Sequence, residues 1–121
     1  MIHNNDIVVI CPTFNEAENI VEFIDSVQSK NLNLLIVDDS SPDGTGKLVK
    51  KSKYINKNLF LIERPQKDGL GSAYREGFSW FIESNFTHCI EMDADFSHTF
   101  KDLDKILEEI RNSEIIIGSR Y

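Results

Sequence analysis

The chain has 121 residues, 40% of them hydrophobic and 27% charged, which is ordinary globular composition with room for one domain and not two. Twenty acidic against 13 basic residues give a net charge of -7, and that balance argues against a nucleic-acid binder, which needs a basic face to displace phosphate counterions. An acidic protein can still take an anionic ligand when a divalent cation stands between them.

The two cysteines, Cys11 and Cys89, fall within apolar runs and are expected as small buried side chains. They lack metal-ligand spacing, and no signal peptide precedes them, so a reducing cytoplasm is the expected setting. No apolar run approaches the roughly 20 residues that span a bilayer. Any membrane contact is therefore expected to be peripheral, at the cytoplasmic face.

In chain order, residues 6–11 (DIVVIC) form a short β-branched run, the pattern of a strand covered on both faces. Pro12 ends it. Thr13 or Asn15 can then cap a helix, each with a glutamate three residues on, and Ala17, Ile20, Val21, Ile24 and Val27 fall on one face at helical spacing. Residues 32–37 (LNLLIV) predict a second strand, ending on Asp38 and Asp39. The turn SSPDG leads to a short helix that turns Leu48 and Val49 inward. Residues 59–62 predict a third strand, and the loop RPQKDGLG leads to a helix over 72–83. Residues 87–92 (THCIEM) predict a fourth strand. Phe100, Leu103, Ile106, Leu107 and Ile110 mark a further helix, and residues 114–117 a fifth strand. Strand and helix alternate throughout over short connections. That predicts an α/β domain with a mostly parallel sheet, helices on both faces and right-handed crossovers.

In such sheets ligands bind beyond the carboxyl ends of the strands, where the strand order reverses. Three strand ends here are polar: Pro12-Thr13-Phe14-Asn15-Glu16, then Asp38-Asp39-Ser40-Ser41-Pro42-Asp43-Gly44, then Asp93-Ala94-Asp95-Phe96-Ser97-His98. Carboxylates brought together on one rim repel unless a cation or hydrogen-bond donors neutralise them, and oxygen ligands without thiolate suit a hard cation such as Mg²⁺ or Mn²⁺. In extended backbone Asp93 and Asp95 point to the same side. One can then take a metal while the other takes a pair of ribose hydroxyls. The plainer alternative makes one a helix cap and leaves the other solvated; two further acidic strand ends in the same sheet favour the ligand role.

Other features carry less. Asp39, Ser41, Asp43 and Gly44 match the opening of a calcium loop, but its bidentate glutamate position is Lys50, so that assignment fails. Ser41 to Gly44 also serves as a plain strand-to-helix turn. The loop Lys67-Asp68-Gly69-Leu70-Gly71 can offer N–H groups to phosphate, yet it lacks the full dinucleotide or Walker pattern.

Together these motifs resemble family 2 glycosyltransferases of the GT-A fold, and among them the dolichol-phosphate (polyprenol-phosphate) mannosyltransferases. PTFNEAENI is similar to that family's P-x-[YF]-N-E-x-x-N-[IL] opening, VDDSSPDGT to its VDDGSPDGT, and RPQKDGLGSAYREGF to its RxxKxGLGxAYxxGF. MDADFSH and GSRY resemble its MDADLSH and GSRY blocks. Five ordered blocks cover nearly the whole chain.

The resemblance implies that Pro12, Phe14 and Glu16 line a nucleotide pocket. Val37 and Asp39 would contact the base, with Asp39 accepting hydrogen bonds from its N–H groups. Asp93 and Ala94 would hold the ribose or sugar-phosphate. Asp95 would ligate the metal, with Asp93 and Ser97 as further candidates, and Arg120 matches an arginine near the reacting phosphates. Phe14 stands where tyrosine is commoner, and Thr99 where a proline often follows the histidine. The family continues well beyond its GSRY block, so residues 1–121 are expected to be the nucleotide-sugar-binding part of a longer enzyme.

The implied reaction moves a hexose from a nucleotide sugar to a polyprenyl phosphate, metal-dependently and with inversion. GDP-mannose is the expected donor and UDP-glucose or another UDP-sugar the alternative. From another class, a phosphoacceptor receiver domain shares the length, acidity and acidic strand ends. It would need the acidic pair after the first strand and a lysine after the fifth. A nucleotidyltransferase would open on a glycine-rich segment, where this chain has PTFNE.

Overall fold

A run of apolar residues without alternation has to be covered on both faces, and the central strand of the sheet meets that demand here. The computed structural model describes residues 2–94, 100–112 and 118–120, the backbone alone at 100–102 and 118–120. Five strands, β1 (Ile7–Thr13), β2 (Asn33–Asp38), β3 (Leu59–Glu63), β4 (His88–Glu91) and β5 (Gly118–Arg120), form one sheet in the order β3-β2-β1-β4-β5. Every neighbouring pair is parallel. Among the described residues the α-helices are α1 (Ile20–Gln28), α2 (Thr45–Lys50), α3 (Leu70–Glu83) and α4 (Phe100–Arg111).

Strand side chains alternate between two separate cores, as the two-residue period requires. Ile7, Val9, Cys11, Leu34, Ile36, Leu59 and Ile90 turn to one face, where Ile20, Phe23, Ile24 and Val27 of α1, Val49 of α2 and Leu103, Ile106, Leu107 and Ile110 of α4 meet them. Val8, Ile10, Leu35, Val37 and Cys89 turn to the other, where Ala73, Tyr74 and Phe81 of α3 cover them. Phe60 carries this second core to the sheet edge, with the Trp80 ring 5.3 Å away and Phe86 beyond it. The expected parallel sheet with helices on both faces is thus observed; among the described residues α1, α2 and α4 lie on one side and α3 on the other.

Boundaries differ in instructive ways. Thr13 caps no helix, because it belongs to β1, and α1 begins only at Ile20. Val21 shares the apolar period of α1 but is 50% exposed, so the inward stripe is narrower than the spacing suggests. Helix α3 starts at Leu70, two residues before the expected position. The expected fifth strand at 114–117 lies outside the described residues; strand pairing is observed at Gly118–Arg120. Both cysteines are buried, and burial with the nearby Glu91 charge pushes the Cys89 thiol up to about 11. Among the described residues no helix is long and apolar enough to cross a membrane.

Helix α3 can lie close on β1 because residue 77 is glycine: a Cβ there would stand 2.6 Å from Cγ2 of Ile10. An ordinary helix interior gains about 1 kcal/mol from Gly→Ala, whereas overpacking a fitted core costs about 1–3 kcal/mol. Gly77→Ala is therefore expected to lower stability despite its better helix propensity, and Gly77→Val to lower it further. Urea midpoints at unchanged m-value check this, and a Gly77→Ala protein more stable than wild type would show that the contact relaxes freely.

Candidate functional site

The strand order turns back beside β1: β2 and β3 build outward on one side, β4 and β5 on the other. At the carboxyl ends of these strands lies a cleft of about 260 Å³, where a doubly wound sheet binds its ligand. Pro12, Thr13, Phe14 and Glu16 come from the end of β1, Asp39 from β2, and Asp93 and Ala94 from β4. Lys67, Gly69, Leu70 and Ala73 close it from the start of α3.

The rim is built by neutralising charge. Asp38 is 2% exposed and accepts hydrogen bonds from Thr13 Oγ1 at 2.7 Å, Ser41 Oγ at 2.6 Å and the Ser41 N–H at 3.0 Å. Asp39 is 5% exposed. Arg64 Nε stands 2.7 Å from its Oδ1, and the Asp68 N–H donates to its Oδ2 at 3.2 Å. Three successive N–H groups after β1 then find acceptors on the loop after β2. Asn15 donates to Ser41 Oγ at 2.9 Å, Glu16 to Thr45 Oγ1 at 3.0 Å, and Ala17 to Asp43 Oδ2 at 3.0 Å. Asp43 also accepts from the Thr45 hydroxyl and N–H. Desolvation works to raise the Asp43 carboxyl, but the Thr45 and Ala17 hydrogen bonds together outweigh it and hold the group below its ordinary value.

Backbone conformation at the rim is unusual in the same places. Asn15, Ser40, Gly44 and Gly69 all have positive φ. Ser40 has φ 54 at the position where the similar motif carries glycine. A non-glycine residue in that region costs about 1–2 kcal/mol, and the Ser40 hydroxyl offsets part of it by donating to the Arg64 carbonyl at 2.6 Å.

Six of the sequence-predicted site residues thus meet in one cleft: Pro12, Phe14, Glu16, Asp39, Asp93 and Ala94. Val37 does not join them, being fully buried in the core beneath α3. Asp95 and Ser97 lie outside the described residues. Arg120 ends β5, its backbone opposite Glu91 of β4, and its side chain is not described. Among the described residues no three carboxylate, imidazole or thiolate groups converge as a metal site. Asp93 is compatible with a hard cation: its Oδ1 accepts from Tyr74 at 3.2 Å, and a carboxylate has lone pairs to spare. Burial first, then the Asp93 charge, raises the Tyr74 hydroxyl far above its ordinary value, so Tyr74 remains a donor at any working pH.

Several site residues escaped sequence reasoning. Lys67 Nζ lies 4.3 Å from the centroid of the Phe14 ring, a cation–π distance. Arg64 and Tyr74 hold Asp39 and Asp93. All three fall in the block RPQKDGLGSAY, whose signal was an arginine directly after an apolar strand and a tyrosine on the inward face of the next helix.

Comparison with known proteins bears on what this cleft serves. Residues 8–121 match the family described as Glycosyl transferase family 2. The chain is 37% identical over 116 residues to the undecaprenyl-phosphate mannosyltransferase of Micrococcus luteus, covering 94% of this chain and 48% of that protein. It is 37% identical over 118 residues to the polyprenol monophosphomannose synthase of Mycolicibacterium smegmatis, covering 94% and 44%. With the dolichol-phosphate mannosyltransferase of Pyrococcus furiosus it shares 39% identity over 120 residues, covering 93% and 32%. The chain spans less than half the length of these curated relatives.

Thr45 is fully buried and serves both loops, accepting from Glu16 and donating to Asp43. Thr45→Val leaves the half-buried Glu16 N–H without its acceptor, at about 1 kcal/mol, and should release Glu16; Thr45→Ser should restore most of the loss. Urea denaturation and amide exchange at Glu16 measure both effects, and equal stability of the valine and serine proteins would show that the hydroxyl carries no weight. Because the Asp43 carboxyl is depressed in the fold, its contribution is present above the ordinary value of 3.8 and is lost as pH falls through its lowered value. The protection factor at Ala17, its exchange measured against the intrinsic rate at the same pH, should therefore hold at neutral pH and fall only as pH drops through that lowered value.

Proposed function

Because the chain belongs to glycosyl transferase family 2, we propose that its cleft holds the nucleotide of GDP-mannose and that the protein transfers mannose to a polyprenyl phosphate. The observation that carries this reading is the meeting of Pro12, Phe14, Glu16, Asp39, Asp93 and Ala94 at the switch point of the sheet. The names of the relatives point the same way, each a polyprenol- or dolichol-linked mannosyl transferase or synthase.

The cleft divides by chemistry. Asp39 presents an acceptor for base N–H groups at its inner end. Phe14 and the Lys67 ammonium above it offer a flat apolar surface and a positive charge to an anionic ligand. Asp93, oriented by the Tyr74 hydroxyl, faces the ribose or sugar-phosphate. Leu70, Ala73 and Ala94 give the cleft an apolar flank there. A divalent cation, Mg²⁺ or Mn²⁺, held by Asp93, Asp95 and Ser97 would neutralise the departing nucleoside diphosphate. Arg120, at the carboxyl end of β5, would add positive charge near the same phosphates.

An acceptor phosphate is already anionic near neutral pH, so the chain need supply no general base. Its work is to position the donor for attack from the face opposite the leaving group, which inverts the anomeric centre. A lipid-linked acceptor places the reaction at a membrane surface, reached peripherally from the cytoplasmic side.

Calorimetric titration with GDP-mannose, UDP-glucose and UDP-N-acetylglucosamine, each with Mn²⁺ or with chelator, tests the reading. GDP-mannose should bind in Mn²⁺, and Asp95→Asn should abolish the gain that the metal gives. Selective binding of UDP-glucose would transfer the site to a UDP-sugar donor. A folded chain that binds none of the three overturns the nucleotide-sugar assignment.

A further inference from the structure

Arg64 is a cation where the sequence gives no reason to bury one. It follows β3 directly, its side chain is 4% exposed, and it is absent from the lining of the donor cleft. A guanidinium so withdrawn from water is tolerated only when its donors and charge are matched. Nε stands 2.7 Å from Asp39 Oδ1 and Nη1 donates to Ser72 Oγ at 3.0 Å, while the buried Nη2 faces Asp68 Oδ2 at 3.5 Å as a charge contact without a hydrogen bond. The ring closes on itself: Ser72 Oγ donates to Asp68 Oδ2 at 2.8 Å, and the Asp68 N–H donates to Asp39 Oδ2. The Arg64 backbone is fixed as well. Its N–H donates to the Asp38 carbonyl at 2.8 Å, and its carbonyl accepts from Ser40 Oγ.

We propose that Arg64 is a positioning residue for donor recognition, clamping Asp39 from behind so that one carboxylate oxygen is presented to the base in a fixed plane. The inference rests on Asp39 meeting the base of a guanine nucleotide, as set out above. The terminal torsion of an aspartate is broad and soft, so an unclamped carboxylate would rotate and spread its lone pairs over many directions. Here Asp39 Oδ1 is shut off from solvent and accepts no hydrogen bond among the described residues, so the guanidinium packed against it holds it by charge. Oδ2 takes one hydrogen bond from Asp68 and keeps a second lone pair. The same clamp ties the segment bearing Lys67 and Gly69 to the end of β2, so both walls of the pocket are set by one buried group. Arginine suits the task because its planar fork reaches Asp39 and Ser72 at once, which a lysine point charge cannot do.

The test compares GDP with inosine diphosphate, which lacks the exocyclic amine of guanine, on the full chain in Mn²⁺. Wild type should prefer GDP by roughly tenfold or more, the worth of one hydrogen bond to a charged acceptor. In Arg64→Met the preference should fall to about threefold or less, while Arg64→Lys should lie between. A merely structural role would weaken both nucleotides alike and leave their ratio unchanged. Circular dichroism melts establish that each variant folds, and Arg64→Lys carries the comparison if Arg64→Met does not. A wild-type ratio in a folded Arg64 variant overturns the clamp alone. A wild type that binds GDP and inosine diphosphate equally overturns both the clamp and the role of Asp39 beneath it.

Discussion

Strand β2 is buried along its whole length and ends on two adjacent carboxylates, of which Asp38 is 2% and Asp39 5% exposed. Charge withdrawn that far from water has to be met by donors or counter-charge, and the rim of the sheet is organised around meeting it. The parallel register sets Thr13 of β1 opposite Asp38, so the hydroxyl reaches the carboxylate across one strand spacing. Ser41 supplies a hydroxyl and an N–H from the following loop. For Asp39 the counter-charge comes from Arg64, after the neighbouring strand. Three strand ends are therefore fixed relative to one another by the requirement that two buried aspartates find partners inside the protein.

The same arrangement changes how the acidic rim should be understood. Sequence alone brings the carboxylates of three strand ends to one rim, to be neutralised by a cation or by hydrogen-bond donors. Three of the carboxylates involved, Asp38, Asp39 and Asp43, have their charge met by hydroxyls, N–H groups and a guanidinium. What remains to meet an outside cation is the β4 end, where Asp93 has only a tyrosine hydroxyl among its described partners. The acidic pair after β2 resembles a phosphoacceptor site only in composition, since its charge is already matched from within. Family membership removes that signalling alternative independently.

The sheet was legible because hydrophobic periodicity records burial directly. DIVVIC and LNLLIV are strands covered on both faces, and the helical spacing in α4 selects the residues Leu103, Ile106, Leu107 and Ile110 that are in fact buried. The failures have a common cause in tertiary hydrogen bonding. Thr13 has the residue type of a helix cap, but its hydroxyl is taken by Asp38. The N–H groups of Asn15, Glu16 and Ala17 are satisfied by another loop instead of by a cap of their own, so helix α1 starts late. The roles of Arg64 and Tyr74 were missed for the same reason: their partners lie at Asp39 and Asp93, too far along the chain for a local pattern to join them.

This division also explains why the motifs resemble a family so closely while saying so little about which sugar is moved. Of the run Val37 to Thr45, Asp39 lines the cleft, and most of the other polar residues are spent on the loop itself. Asp38, Ser41, Asp43 and Thr45 accept or donate within the lattice that joins the β1 and β2 loops, and Ser40 and Gly44 supply left-handed turns. Such positions admit few substitutions, because each carries a bond or a backbone angle the rim requires. The pocket walls are freer: a phenyl ring at position 14 can serve beside Lys67 where a phenol serves elsewhere. A motif of this kind specifies the shape of a nucleotide cradle, and the choice of base and sugar falls to the few side chains that the cradle holds in place.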